Sequence, residues 1–345
     1  MILGPYEKDA QPWSVDGCPP DFGAELLPPD LDRVEHIILS AMARVPVLEK
    51  GGIKSVVNGP ITFTPDANPL IGPAHGLDNA WMLTGSSMGV MEGGGAGWFL
   101  AHWMLNGAPP MDALAVDPRR FGSWADRSYR VDKAVECFGL QFGVHYPHEE
   151  RPAARDRRLS PIHDRMLAHG AVMGAAHGWE RPNWFSERPN DEAVPSFRRS
   201  RWFDAVAREC RAVTSAVGIA DMSVFSKFEI TGLDTHAFLN SLGANAVPKV
   251  GRVGLTHALT PEGGTQSEFT VSMLSEDKAY LTSAAAAEDM DDDLLRHRAK
   301  SHDVCVSQVT ENFGVLGVMG PKSRDLLATL TTGDLDSAFP WLSVP

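Results

Sequence analysis

A chain of 345 residues has room for two or three domains, and 43% hydrophobic with 22% charged residues is ordinary globular composition. A formal net charge of −13, from 31 basic against 44 acidic residues, excludes a nucleic-acid footprint and a basic membrane-surface patch. No apolar run approaches the roughly 20 residues of a membrane span, and no basic-then-apolar signal segment opens the chain. Cys18, Cys137, Cys210 and Cys305 are too widely spaced for a metal or redox motif. They are expected to be reduced thiols, which suits a cytoplasmic location.

In chain order, residues 28–50 carry Leu31, Val34, Ile37, Ile38, Met42 and Val45 on amphipathic helical spacing, with Asp30 as N-cap and Pro46 as stop. Residues 53–59 (IKSVVNG) read as a strand, and 61–72 (ITFTPDANPLIG) as a strand-like start halted by prolines. A short apolar strand over 80–85 (AWMLTG) then feeds a glycine-dense helix start, 89–105, with Trp98, Leu100, Ala101, Met104 and Leu105 on helical spacing. Such a strand–glycine–helix passage presents unpaired backbone N–H groups at the positive end of the helix dipole, suited to an anionic or carbonyl-rich ligand. Gly93, Gly94, Gly95 and Gly97 permit close approach of a flat group, although tight helix–sheet packing explains a glycine cluster equally well.

Turn chemistry and prolines over 106–122 mark a boundary, and 145–158 (HYPHEERPAARDRR) reads as a surface-running connection. Farther on, 217–232 holds two short strands. Residues 234–247 form a helix with Phe238, Leu239 and Leu242 inward, and 256–274 a hairpin around Pro261, Glu262, Gly263 and Gly264. A strand over 278–284, a helix over 287–300 with acidic first turns, two strands within 304–321 and a last helix over 322–331 complete an α+β unit, helices over an antiparallel sheet.

Three long segments, 58–73 (NGPITFTPDANPLIGP), 83–97 (LTGSSMGVMEGGGAG) and 177–185 (HGWERPNWF), resemble the dimethylglycine and sarcosine dehydrogenases in that order and spacing, and the resemblance runs over nearly the whole chain. It implies a mixed α+β and α/β fold in three parts. Residues 1–106 would be the C-terminal part of an FAD-dependent amine oxidoreductase domain, and 107–164 a small middle domain. Residues 165–345 would be the N-terminal part of an aminomethyltransferase-like folate domain, as in the glycine cleavage system. The G-x-G-x-x-G turn with which the family's flavin domain begins is not in this sequence. The chain is therefore expected to be an internal piece of a longer protein, inactive alone.

The resemblance implies FAD and tetrahydrofolate as cofactors. The reaction would be oxidative demethylation of a small N-methylated glycine, with capture of the one-carbon unit as 5,10-methylenetetrahydrofolate and electrons passed to a protein acceptor or oxygen. Gly85, Ser86, Ser87, Met88, Gly89 and Val90 match the segment that lines the flavin ring with backbone amides, where they would meet the negative charge the ring gains on reduction. Glu92 is expected to point away. Asn58, Pro60 and Asp66 pass near the flavin in the family, although turn capping explains Asn58 and Asp66 as well. Glu268, Phe269 and Thr270 resemble the folate-domain segment with an acidic residue near the pterin. Glu268 and Thr270 share one strand face, and a carboxylate there can orient folate nitrogens. Asn245, Val247 and Lys249 match less specifically.

No H-E-x-x-H or facial triad accompanies the twelve histidines, so no metal is expected. Trp179, Trp184, Phe185, Trp202 and Phe203 read as a packing cluster, since base stacking needs a basic groove. Alternatives to a dehydrogenase piece are a folate-binding one-carbon transferase and a non-catalytic subunit of a split flavin/folate complex.

Overall fold

The structure is a computed structural model that describes residues 1–23, 25–188 and 191–344; Ala24, Pro189, Asn190 and Pro345, which fall inside the expected units, lie outside it. Near the amino terminus, α1 (Glu35–Arg44) forms between 3-10 turns at Asp32–Val34 and Pro46–Lys50. Asp30, expected as the N-cap, accepts the Arg33 N–H at 3.2 Å, but the 3-10 turn starts after Leu31 and α1 after Val34, each without a side-chain cap. The helical spacing produced a helix, yet none of its residues is buried.

Residues 53–64, read from sequence as strand-like, form no strand. β-branched residues alone do not make one: a strand needs a partner ladder, and Ile53 and Val57 stand exposed. Instead β1 (Leu70–Pro73) pairs antiparallel with β2 (Trp81–Thr84). Next, α2 (Gly89–Asn106) ends at Gly107, whose φ of +73° lets its N–H close on Trp103 O at 2.8 Å. The buried side of α2 is Ala96, Phe99 and Trp103, packed on Ile71 and Ala113. Trp98, Met104 and Leu105, expected among its large helical-face residues, are exposed.

The middle of the chain holds α3 (Arg127–Leu140), N-capped by Asp126 accepting Tyr129 N–H at 2.8 Å, and α4 (His163–Ala168). The hairpin β3 (Ala171–Ala176) and β4 (Trp179–Phe185) follows, then α5 (Phe203–Ser215). Trp179 and Trp184 are buried and Trp202 packs on the small core of Val172, Trp184 and Ala205, whereas Phe203 is exposed and carries Arg199 over its ring at 4.3 Å.

The carboxy-terminal unit contains β5 (Gly218–Asp221), β6 (Ser226–Thr231), α6 (Thr235–Leu242), β7 (Val253–Leu259), β8 (Thr265–Ser275) and β9 (Lys278–Ser283). After these come α7 (Glu288–Ala299), β10 (Cys305–Gln308), β11 (Leu316–Met319) and α8 (Ser323–Ala328). Five strands form an antiparallel sheet in the order β10-β6-β9-β8-β7, and β11 pairs β5 separately. One face of the sheet is apolar by alternation: Phe228 and Ile230 from β6, and Phe269, Val271 and Met273 from β8, meet Phe238 and Leu239 of α6 and Leu295 of α7. Lys227 is also fully buried, its Nζ donating to the carbonyls of Ser223 (2.7 Å), Phe225 (2.9 Å) and Thr310 (3.0 Å).

The outer side of α7 joins the parts. Arg158, at the end of the supposed surface connection, is buried: it donates to Glu288 at 2.6 Å and lies 4.2 Å over Trp179. His75, in the β1–β2 turn, sits 3.2 Å from Asp293, which also accepts Gly76 N–H at 3.1 Å and Arg119 at 3.4 Å, while Lys300 meets Asp78 at 3.0 Å. The acidic run of α7 thus serves tertiary pairing, beyond complementing its own dipole.

Removing Arg158 strands Glu288 as an uncompensated buried charge. Arg158→Ala should cost about 3–5 kcal/mol in urea unfolding; a loss below about 1 kcal/mol would refute the pairing. A pH series tests two further groups. Burial pushes the Asp291 carboxyl up to about 6, and Asp293 raises His75 above its ordinary value by hydrogen bonding. In both cases the folded state binds more protons than the unfolded state. Stability should fall as pH rises from about 4 to 6 for Asp291, then through the raised value of His75. Asp291→Asn should remove the first fall and stabilise at pH 7 by about 1–3 kcal/mol. His75→Gln should remove the second. A melting temperature independent of pH across both windows would sink this account.

Candidate functional site

β2 runs out at Thr84 and the chain turns at Gly85, whose φ is +77° and where a Cβ would stand 2.6 Å from Thr64 Cγ2. Glycine is required there by both conformation and space. Ser86, Ser87 and Met88 are half-buried, Gly89 and Val90 exposed. In the first turn of α2, Met91 and Glu92 N–H close on Met88 O at 2.9 and 3.1 Å, so the amides before them have no intrahelical acceptor. Added Cβ atoms at Gly93, Gly94, Gly95 and Gly97 would meet nothing within 4 Å, which rules out tight packing within the described residues as their reason. The segment therefore presents unpaired amides at an open, glycine-surfaced helix start, a fit for the polar edge of a flat ring. Glu92 is exposed in that turn.

Asn58 and Asp66 serve structure. Asn58 donates to Pro28 O at 2.7 Å and accepts Leu27 N–H at 2.8 Å. Asp66 takes a fork from Arg120 at 2.7 and 2.8 Å and the N–H of Asn68 at 3.0 Å.

The second candidate segment lies on β8. Glu268 and Thr270 occupy the face away from the core, opposite His257 and Leu255 of β7 in register. His257 Nε2 is 2.9 Å from Glu268 Oε2. Phe269, expected among the folate contacts, is fully buried in the sheet core with Val271 and Met273. Strand alternation sends it to the opposite side from Glu268, so it shapes the site only by anchoring the strand. His257 was missed by sequence reasoning: counting back from the Leu259–Thr265 pair sets Ser267 opposite it, and only the register shift between Ala258 and Leu259 brings Glu268 there. Asn245, matched less specifically, lies in the loop that covers the β7 edge: its side chain donates to Leu255 O at 2.8 Å and its N–H to Thr256 Oγ1 at 3.1 Å. Among the described residues, no hydrogen bond or ion pair links 85–90 directly to 268–270.

A third cluster was not foreseen. His75, Asp292 and Asp293 offer ligand atoms within 4.8 Å of one another. Both Asp293 oxygens are already used, by His75 and Gly76 and by Arg119, and Asp292 holds Arg296 at 2.7 Å. Burial opposes ionisation of Asp293, but hydrogen bonds from His75 and Gly76 outweigh it and hold its carboxyl below the usual range. With guanidinium groups already on both carboxylates, the cluster is an ion-pair junction.

Residues 106–160 match the family model described as FAD dependent oxidoreductase central domain, and residues 162–345 that of the GCVT N-terminal domain. The chain is 41% identical to mitochondrial dimethylglycine dehydrogenase of Mus musculus, over 99% of this chain and 40% of that protein. It is 33% identical to mitochondrial sarcosine dehydrogenase of Homo sapiens, over 99% of this chain and 42% of the relative. It is also 31% identical to the mitochondrial pyruvate dehydrogenase phosphatase regulatory subunit of Mus musculus, over 96% and 39%. The chain thus spans about 40% of the length of the curated relatives it matches. No described helix is long and apolar enough to cross a membrane. With the GCVT model over more than half of its length and the oxidoreductase model immediately before it, the chain belongs to the dimethylglycine and sarcosine dehydrogenase family, in which an FAD-dependent oxidoreductase unit is fused to an aminomethyltransferase-like unit.

Proposed function

We propose that this chain serves FAD-dependent oxidative demethylation of dimethylglycine or sarcosine, with transfer of the one-carbon unit to tetrahydrofolate. The observation that carries the reading is the succession of the two family models along a chain 41% identical to a dimethylglycine dehydrogenase. We divide it into 1–106 as late flavin-domain sequence, 107–164 as a middle domain and 165–345 as folate-domain sequence.

A bound flavin would accept the hydride that leaves the N-methyl carbon, and an acceptor protein or oxygen would take the electrons onward. The amides of Gly85, Ser86, Ser87, Met88, Gly89 and Val90 would hydrogen-bond the ring's pyrimidine edge, and the positive end of α2 would favour its reduced, more negative form. Glu268 and Thr270 would orient the folate, the carboxylate accepting the proton lost from the attacking folate nitrogen. The substrate is a small N-methylated glycine, with no role for nucleic acid or membrane. Four free thiols, three of them exposed, support a reducing, cytoplasmic compartment, although the relatives named above carry mitochondrial names.

A second reading has one specific support. A relative 31% identical over 96% of the chain is named a regulatory subunit, which suits a non-catalytic subunit of a split flavin/folate complex.

The test is ligand binding. The chain, mixed with FAD and passed through gel filtration, should retain flavin absorbance if 85–90 and its surroundings suffice; a colourless, folded protein limits that segment to part of a site. Calorimetry with 5-formyltetrahydrofolate should show binding that Glu268→Ala weakens about tenfold or more, the effect of losing a charge-assisted hydrogen bond. Unchanged affinity in Glu268→Ala would overturn the Glu268 assignment. Failure of the wild-type chain to bind either ligand would favour the regulatory reading.

A further inference from the structure

We infer that His257 is a positioning residue for Glu268: it holds one carboxylate oxygen in place so that the other meets the N–H edge of a reduced pterin. The inference rests on the folate reading above.

The geometry comes from strand register. His257 and Glu268 are directly opposed on β7 and β8, with Nε2 2.9 Å from Oε2. An ionised carboxylate only accepts, so Nε2 carries the hydrogen, and Oε1 is left for a ligand. An unrestrained glutamate on an open strand face samples several rotamers. Glu268 is 59% exposed, and the imidazole restrains it before any ligand arrives, which lowers the ordering cost of binding.

His257 is itself fixed from the other side. β7 is the sheet's edge strand, yet its free edge is covered at this point by the loop after α6. Ala244 N–H donates to His257 O at 2.9 Å, Gly243 bridges Ala258, and the Asn245 side chain donates to Leu255 O at 2.8 Å. The imidazole therefore stands on a backbone pinned on both edges. A contact this exposed adds little to stability. A role in binding and a role in folding thus make different predictions.

The experiment uses the full 345-residue chain with 5-formyltetrahydrofolate as probe. His257→Ala should weaken binding by about five- to tenfold while the melting temperature stays near wild type. His257→Gln, which keeps an N–H donor, should restore most of the affinity. The double variant His257→Ala/Glu268→Ala should bind no more weakly than Glu268→Ala alone, because His257 acts through Glu268. Losses that add, or wild-type affinity in His257→Ala while Glu268→Ala loses it, would overturn the inference. The contact has its own readout without ligand: the His257 ring resonances should move in Glu268→Gln. Ring resonances that do not move refute the positioning and leave the folate reading intact. Moved resonances with no wild-type binding refute the folate reading and, with it, this role.

Discussion

The architecture turns on a buried ion pair, Arg158 with Glu288. Both side chains are more than nine-tenths buried, at 6% and 9% exposure, and Trp179 covers the guanidinium from one side. Neither charge is tolerable there alone, because removing an ion from water costs several kcal/mol that only a well-placed partner offsets. The pair therefore ties the middle of the chain to the first turn of α7 in one arrangement. Arg158 is also held through its backbone, which accepts from Glu180 and donates to Gly178 at 2.9 Å each. Around it the other contacts of α7 follow: Asp293 receives the β1–β2 turn and Arg119, and Lys300 meets Asp78. A single helix thus packs on the sheet through Leu295 and addresses the rest of the chain through its acids.

β8 has a similar double use. Its odd-numbered residues from Phe269 build the core, and the even-numbered Glu268 and Thr270 face outward beside β7. The rigidity of the core is transmitted to the outward side chains, since the strand cannot rotate without unburying Phe269. A side chain on a packed strand is better defined than one on a loop, and the cross-strand imidazole restrains Glu268 further.

The helix start at α2 is built on the opposite principle. Gly85 is locked by Thr64 and by its own dihedral angle, but added Cβ atoms at Gly93, Gly94, Gly95 and Gly97 would meet nothing within 4 Å. Val90 and Met91 are almost wholly exposed. The described residues supply the amides and the open face, and nothing among them closes it.

Much of the carboxy-terminal unit was legible in the sequence because its signals are local. Alternation over β6 and β8, the glycine turn at 263–264 and the inward Phe238, Leu239 and Leu242 each depend on neighbours a few residues away. Residues 85–90 and Glu268 were singled out by their resemblance to family segments, not by local periodicity. Tertiary structure decided what depends on distant partners. Residues 53–64 have strand-like composition but no ladder to join. The face of α2 that became buried was fixed by Ile71 and Ala113, so Phe99 and Trp103 went inside and Trp98 stayed out. Arg158 reads as one more surface arginine until Glu288, distant in sequence, is brought beside it. His257 gains meaning only when the hairpin register sets it against Glu268. Sequence periodicity reports which residues share a face; only the packed chain reports what that face meets.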